Sequence, residues 1–298
     1  MQTAAPRSAS HRQTLARPGG HPIVLRDRPL VMGVLNLTPD SFSDGGLWLQ
    51  PEAAVGYALE MVEAGADLLD LGAESTRPGG GVYGEGAQRV PAEEELDRLM
   101  PVLERLRPRV SLPISVDTRK GRVARAALEA GADLINDVSA LADSGMAEVV
   151  AEAGCPIVLM HSRGELRTMQ RGIRFQSLLE EVTSELEAAV DRALSAGIAR
   201  HKIFIDPGIG FGKTAAQNLT ILRRLDALGR LELPILVGPS RKSFIGHLTD
   251  APPQRRLPGS LAAVAWAAHH RAAVVRVHDV AETLQFLDIW QAIHGADT

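Results

Sequence analysis

Short apolar runs recur along this chain at intervals of about 30 residues, each followed by an amphipathic stretch and a glycine return. The returns read Ala64-Gly65-Ala66, Ala130-Gly131-Ala132 and Ala153-Gly154-Cys155. In each a helix stops at glycine and the next strand begins at once. The runs show almost no polar alternation, which suits parallel strands covered on both faces. They are Val31–Asn36, Asp67–Gly72, Pro113–Asp117, Asp133–Asp137, Pro156–Met160, Lys202–Asp206, Pro234–Gly238 and Ala273–His278. Helices are expected at about 51–64, from Ala92, and at 120–130, 145–153, 175–196, 218–228, 257–271 and 280–293. Eight strands with eight following helices predict one α/β domain, a closed (β/α)8 TIM barrel. An open doubly wound sheet is the alternative, but it usually has fewer strands, and no GxGxxG turn follows the first strand.

A length of 298 residues fits a single barrel, and 45% apolar content suffices for its core. The barrel is expected over 21–298, with Ile23–Leu25 as a short capping strand. Residues 1–20 carry Arg7, Arg12 and Arg17 among small and polar residues and lack the apolar block of a secretion signal. They read as a disordered tail, with a transit peptide as the other reading. The net charge of -4, from 32 basic and 36 acidic residues, leaves no broad basic field for nucleic acid. No apolar run is long enough to span a membrane. The single cysteine, Cys155, cannot form an internal disulfide and precedes an apolar run, so it reads as a buried thiol in a reducing cytoplasm.

Polar residues fall where a structural strand would not place them, at the carboxyl end of each run. The ends carry Asn36, Glu74-Ser75-Thr76-Arg77-Pro78, Asp117-Thr118-Arg119-Lys120, Asn136-Asp137, Met160-His161, Asp206-Pro207-Gly208, Ser240-Arg241-Lys242-Ser243, and Arg276 with His278. In a barrel these ends ring one mouth, where barrel active sites lie. Arg77, Arg276, His278 and the Thr76 hydroxyl are suited to anions such as phosphate. Asn36 offers a neutral oxygen for Mg²⁺, an ion that prefers few protein ligands beside phosphate oxygens and water. Asp117, Asn136 and Asp206 are short acceptors that would be costly in a barrel mouth unless a ligand supplied donors. A flat heterocycle with an amino group and a ring N–H would do so. Lys242 adds a donor for a ring carbonyl, and Phe211 and Met160 could cover the faces. Asp137 reads as a cap for the fourth helix, and Asp206 also suits a turn. His161 and Arg163 read equally well as structural or functional.

The first run leads into a polar loop, and the whole stretch MGVLNLTPDSFSDGG is joined in order by GAESTRPG, ISVDTRK, INDVSAL, VLMH, DPGIGFGKT, VGPSRKSFIG and VRVHDV. Together these resemble dihydropteroate synthases, of the pterin-binding barrel group. The resemblance implies a transferase of folate biosynthesis that joins p-aminobenzoate to 6-hydroxymethyl-7,8-dihydropterin diphosphate and releases diphosphate. It implies that Asp117, Asn136, Asp206 and Lys242 hold the pterin between Met160 and Phe211. It implies Mg²⁺ on the diphosphate at Asn36, with Thr76, Arg77, Arg276 and His278 around that group. Arg77, Pro78, Ser243 and Phe42 would shape the p-aminobenzoate site, and Asp206, Lys242, Asn36 and Arg276 would carry catalysis. A homodimer through the late helices is implied as well. The segment 79–90 is longer than is usual for such proteins. A corrinoid methyltransferase using methyltetrahydrofolate and a non-catalytic pterin-binding paralogue are the alternatives.

Overall fold

The computed structural model describes residues 13–38, 51–75, 89–165 and 167–296. Eight parallel strands form its centre: β3 (Leu30–Asn36), β4 (Leu68–Gly72), β5 (Ile114–Asp117), β6 (Leu134–Asp137), β7 (Ile157–Met160), β8 (Ile203–Asp206), β9 (Leu236–Val237) and β10 (Val274–Val277). They are ordered β8-β7-β6-β5-β4-β3-β10-β9, and a parallel bridge from Ile205 to Ile235 joins the two ends. The sheet therefore closes into the predicted barrel, and none of these strands is left as a bare edge.

Around it lie α1 (Pro51–Glu63), α2 (Ala92–Leu106), α3 (Gly121–Glu129), α4 (Met146–Ala153), α5 (Leu178–Ser195), α6 (Ala215–Arg223), α7 (Ser243–Thr249), α8 (Leu257–His269) and α9 (Val280–Gly295). The sequence reading has no counterpart for α7, a helix of two turns in which Phe244 and Ile245 alone are buried. The expected helix over 218–228 is instead α6, which starts earlier, followed by a 3-10 segment Leu225–Leu231. A capping box on Thr214 and Gln217 starts α6.

The expected tail over 1–20 needs correction at its inner end. Thr14 and Leu15 form a short strand, β1 (Thr14–Leu15), which pairs antiparallel with β2 (Ile23–Val24). Leu15 and Ile23 are buried with Leu30, Met32, Leu68, Leu134, Val158, Phe204, Leu236 and Val274. This hairpin plugs the amino-terminal end of the barrel, because the apolar floor needs a cover that the helices do not supply. Two polar networks tie the floor. Asp133 accepts from Arg107 and from the His21 and Ile114 amides, and Asp67 accepts from Arg26, Arg28 and the Val31 amide.

Strand parity then sets the chemistry of the interior. Leu69 and Leu71 face the helices, as do Ile135, Leu159 and Ile205. Their neighbours face the axis. The lower axial layer is apolar, with Leu68, Leu134, Val158, Phe204 and Val274. Two residues further along the same strands stand Asp70, Asn136, Met160, Asp206 and Arg276. A side-chain period of two carries each strand from core to mouth in one step.

Candidate active site

At the mouth, β5 and β8 end on Asp117 and Asp206, and Asn136 stands one residue before the end of β6, all buried. Asp117 pairs in register with Asn136, and Met160 with Asp206. The sequence-predicted pterin ligands thus lie side by side around one rim. Arg276, on β10, reaches across the axis. Its Nε donates to Asp70 Oδ2 at 2.6 Å and its Nη2 to Asp117 Oδ2 at 3.1 Å. Asn136 Nδ2 donates to the same Asp70 oxygen at 3.1 Å. Asp70 Oδ1 and Asp117 Oδ1 are buried and have no hydrogen-bond partner among the described residues. For Asp117 this is an acceptor left over for a ligand, since an unmet buried carboxylate oxygen is costly.

Burial pushes Asp117 well above the usual carboxylate range. Arg276 opposes the shift, and Asp70 adds to it. Asp206 is pushed up to about 6 by burial, against the pull of the Gly208 amide, which donates to its Oδ1 at 2.7 Å. The turn reading of Asp206 thus holds for Oδ1. Lys242 precedes α7, and its Nζ lies 4.2 Å from the centre of the Phe211 ring. Burial lowers it to about 8, with Arg276 adding to the effect and Asp206 and Asp117 resisting it. Phe211 and Met160 form one small apolar cluster with Val138 and Met169.

The anion-binding readings change in detail. Arg276 is charge-matched by two carboxylates, so it is held in a fixed plane. His278 is lowered to about 3, first by burial and then by Arg276 and Arg241, so it is neutral at ordinary pH. Its Nδ1 lies 3.0 Å from the Ser240 hydroxyl. It brings a hydrogen bond to this rim rather than a charge. Asn36 closes β3 opposite Gly72, half-buried, and Ser243 opens α7. Phe42, Thr76, Arg77 and Pro78 lie outside the described residues.

No group of three His, Cys, Asp or Glu suited to a metal ion occurs among the described residues. One amide at Asn36 fits an ion that draws its other ligands from phosphate and water. Asp137 does not cap α4. It accepts from the Ser139 amide and hydroxyl and the Leu141 amide, and so holds the turn that follows β6.

His161 and Arg163 are both held in structural contacts. Burial lowers His161 to about 4, and its Nδ1 faces Lys213 Nζ at 2.9 Å while Nε2 faces Glu185 at 3.1 Å. With the ammonium on Nδ1, that nitrogen must accept and Nε2–H must donate. Arg163 pairs with Glu181 and Glu185 and stacks on Phe175 at 4.1 Å.

Three residues make contacts for which the sequence reading assigns no role. Asp70 could have been found as a charge in the middle of an apolar strand. Lys213, inside DPGIGFGKT, is buried and donates to the carbonyls of His161, Gly208 and Phe211. Glu74 is buried and receives the Val90 amide, Arg119 and Lys120. These contacts outweigh its burial and hold its carboxyl below the usual range.

Comparison with known proteins follows the same rim. The model for pterin binding enzymes matches residues 32–278. The dihydropteroate synthase of Escherichia coli is 44% identical over 268 residues, 90% of this chain and 93% of that one. A Xanthomonas albilineans dihydropteroate synthase structure with 4-aminobenzoic acid superposes with a TM-score of 0.87 at 46% identity, covering 96% of this chain and all of that one. A structure of the X. albilineans enzyme in complex with 7,8-dihydropteroate gives 0.83 at 43% identity, covering 95% and 100%.

Proposed function

The chain belongs to the dihydropteroate synthase family of pterin-binding enzymes, and from that premise we infer that it joins p-aminobenzoate to 6-hydroxymethyl-7,8-dihydropterin diphosphate, forming 7,8-dihydropteroate and diphosphate. The observation that carries the reading is the ring of Asp117, Asn136, Asp206 and Lys242 around one mouth, with Phe211 and Met160 beside it. That ring offers two carboxylates and an amide to a heterocycle rich in N–H groups, and one ammonium to its carbonyl.

Asp117, Asn136, Asp206 and Lys242 hold the pterin, and Met160 and Phe211 flank it. Arg276 and His278 serve the diphosphate, a role that the family resemblance extends to Thr76 and Arg77. Ser243, Arg77, Pro78 and Phe42 shape the p-aminobenzoate site. In the reaction the bond between the pterin methylene carbon and the diphosphate oxygen breaks, and the electron pair leaves with diphosphate. The arylamine lone pair forms the new C–N bond, and the amine gives up a proton to diphosphate or solvent. An arylamine is a weak nucleophile, so positive charge develops on the methylene and spreads into the ring. Asp206, at the buried end of β8, stabilises that charge. No side-chain nucleophile is needed. A magnesium ion at Asn36 supplies screening of the diphosphate charge when bound.

We assign a homodimer on the outer faces of α7, α8 and α9, where Leu248, Trp266, Ile289 and Ile293 are exposed. On α8 itself, Val264 faces inward and belongs to the core. We place the chain in the cytoplasm, on the buried free thiol of Cys155; no helix is long and apolar enough to cross a membrane among the described residues.

The test is diphosphate release from the dihydropterin diphosphate with Mg²⁺, with and without p-aminobenzoate, alongside mass detection of dihydropteroate. Coupled release and dihydropteroate formation are expected. Pterin binding with no release under any amine would replace the reading by a non-catalytic pterin binder.

A further inference from the structure

We propose that Asp70 is a positioning residue for this reaction, its carboxylate deciding which atoms of Asn136 and Arg276 a bound pterin meets. The proposal rests on the synthase reading above. Asp70 sits in the middle of β4, fully buried, flanked in register by Val34 and Ser115. A carboxylate at that depth is a poor device for stability, because its desolvation offsets what its partners return. Its partners are two side chains of the site. One oxygen, Oδ2, accepts from Arg276 Nε at 2.6 Å and from Asn136 Nδ2 at 3.1 Å. Residues from β10 and β6, on opposite sides of β4, thus meet on a single atom.

The consequence for Asn136 concerns polarity. A carboxamide has a donor end and an acceptor end of nearly equal shape, and only its partners set which way it points. With Nδ2 held on Asp70, the acceptor end points away from Asp70. The consequence for Arg276 concerns its plane. Nε is committed to Asp70 and Nη2 to Asp117, so the guanidinium cannot rotate without losing both bonds. Asp70 itself stands two residues before the strand end at Gly72, paired in register with Ser115 while Gly72 pairs with Asp117. It acts through Asn136 and Arg276.

The test compares wild type with Asp70→Asn, which keeps shape and removes charge, and with Asp70→Ser. Each substrate is varied in steady state, and dihydropterin diphosphate binding is followed by calorimetry across about pH 5 to 9. In Asp70→Asn, kcat/KM for the pterin substrate is expected to fall about 10²-fold, the scale of a misplaced contact. KM for p-aminobenzoate is expected to stay within about threefold, because Asp70 orients only pterin and diphosphate ligands.

The acidic limb of pterin binding is expected to move to lower pH. Asp117 is faced by Arg276 from β10, Asp70 from β4, Asp137 from β6, Glu95 from α2 and Lys242 before α7. Removing one of the negative neighbours makes it easier to ionise. A folded variant with wild-type pterin kinetics would overturn the proposal. So would an equal loss for both substrates with an unmoved acidic limb, since that is the mark of general loosening.

If neither variant folds, the Asn136 side-chain amide of the wild-type protein decides. Slow exchange of one Nδ2 proton with solvent supports the proposal, and exchange at the rate of an exposed amide overturns it. Failure of wild type itself to make dihydropteroate would sink the synthase reading alone, while pterin binding and the Asn136 amide would still judge Asp70.

Discussion

At the scale of single residues, the mouth is a set of charges held where water would normally be required. Asp206 shows the cost and the use. Its folded value of about 6 lies above that of a free carboxyl, so protonation favours the folded state. The stabilisation is present in acid and is lost as pH rises through about 6. Asp206→Asn is therefore expected to raise Tm by a few degrees at neutral pH while abolishing dihydropteroate formation. Scanning calorimetry beside the coupled assay checks both halves, and an unchanged or lower Tm would contradict the burial argument.

Pterin affinity in the wild type is expected to decline further as pH falls through about 6, where Asp206 takes up a proton and gives up part of its acceptor capacity. Lys242→Ala removes the only ammonium beside the Phe211 ring among the described residues. It should weaken pterin binding by about 10-fold or more, the scale of a charged hydrogen bond. An unchanged dissociation constant would count against the pocket as drawn.

At the scale of elements, the turn after β8 is built around Lys213. Its ammonium ties the carbonyls of His161, Gly208 and Phe211 and the His161 ring into one knot between β7 and α6. Burial lowers Lys213 to about 7, with Asp206 and Glu185 opposing. The same turn puts Asp206 and Phe211 on the rim. Gly208 makes it possible, at φ +68°, where a Cβ would collide with the His161 carbonyl oxygen. Gly208→Ala is expected to reduce pterin binding more than it reduces stability. Titration of the ligand beside urea melts would show the split, and a variant with intact binding would argue against the turn as the positioning element. Thr214→Ala, at the capping box of α6, should cost about 1 kcal/mol with wild-type kcat, measured by the urea midpoint.

At the scale of the whole molecule, the barrel puts its stability and its chemistry at opposite ends. The amino-terminal end is closed by the β1–β2 hairpin and the Asp67 and Asp133 networks. The carboxyl-terminal end gathers charges. The outer faces of α8 and α9 leave Trp266, Ile289 and Ile293 exposed. Light scattering at micromolar concentration is expected to give twice the chain mass, and the double variant Ile289→Lys/Ile293→Lys about half of the wild-type value. A monomer mass for wild type would remove the proposed dimer.

The sequence by itself determined the barrel, because each strand and helix announces itself locally. Apolar blocks, glycine stops such as Gly131 and acidic first turns are properties of neighbours in the chain. It also determined which residues stand at the strand ends, since a polar residue directly after a buried run needs a reason to be there. Helix α7 was not legible, because seven residues with two buried side chains carry no period. Nor was the pairing inside the mouth. Asp70 and Arg276 are 206 positions apart, and Asp117 and Arg276 are 159 apart. Only closure of the sheet brings β10 beside β3 and within reach of β4 and β5. The tertiary structure alone decided that Arg276 is held by two carboxylates, that His278 is neutral, and that Lys213 and His161 brace the rim. Charge states and hydrogen-bond partners depend on distance and burial, and a chain acquires both only once it has folded.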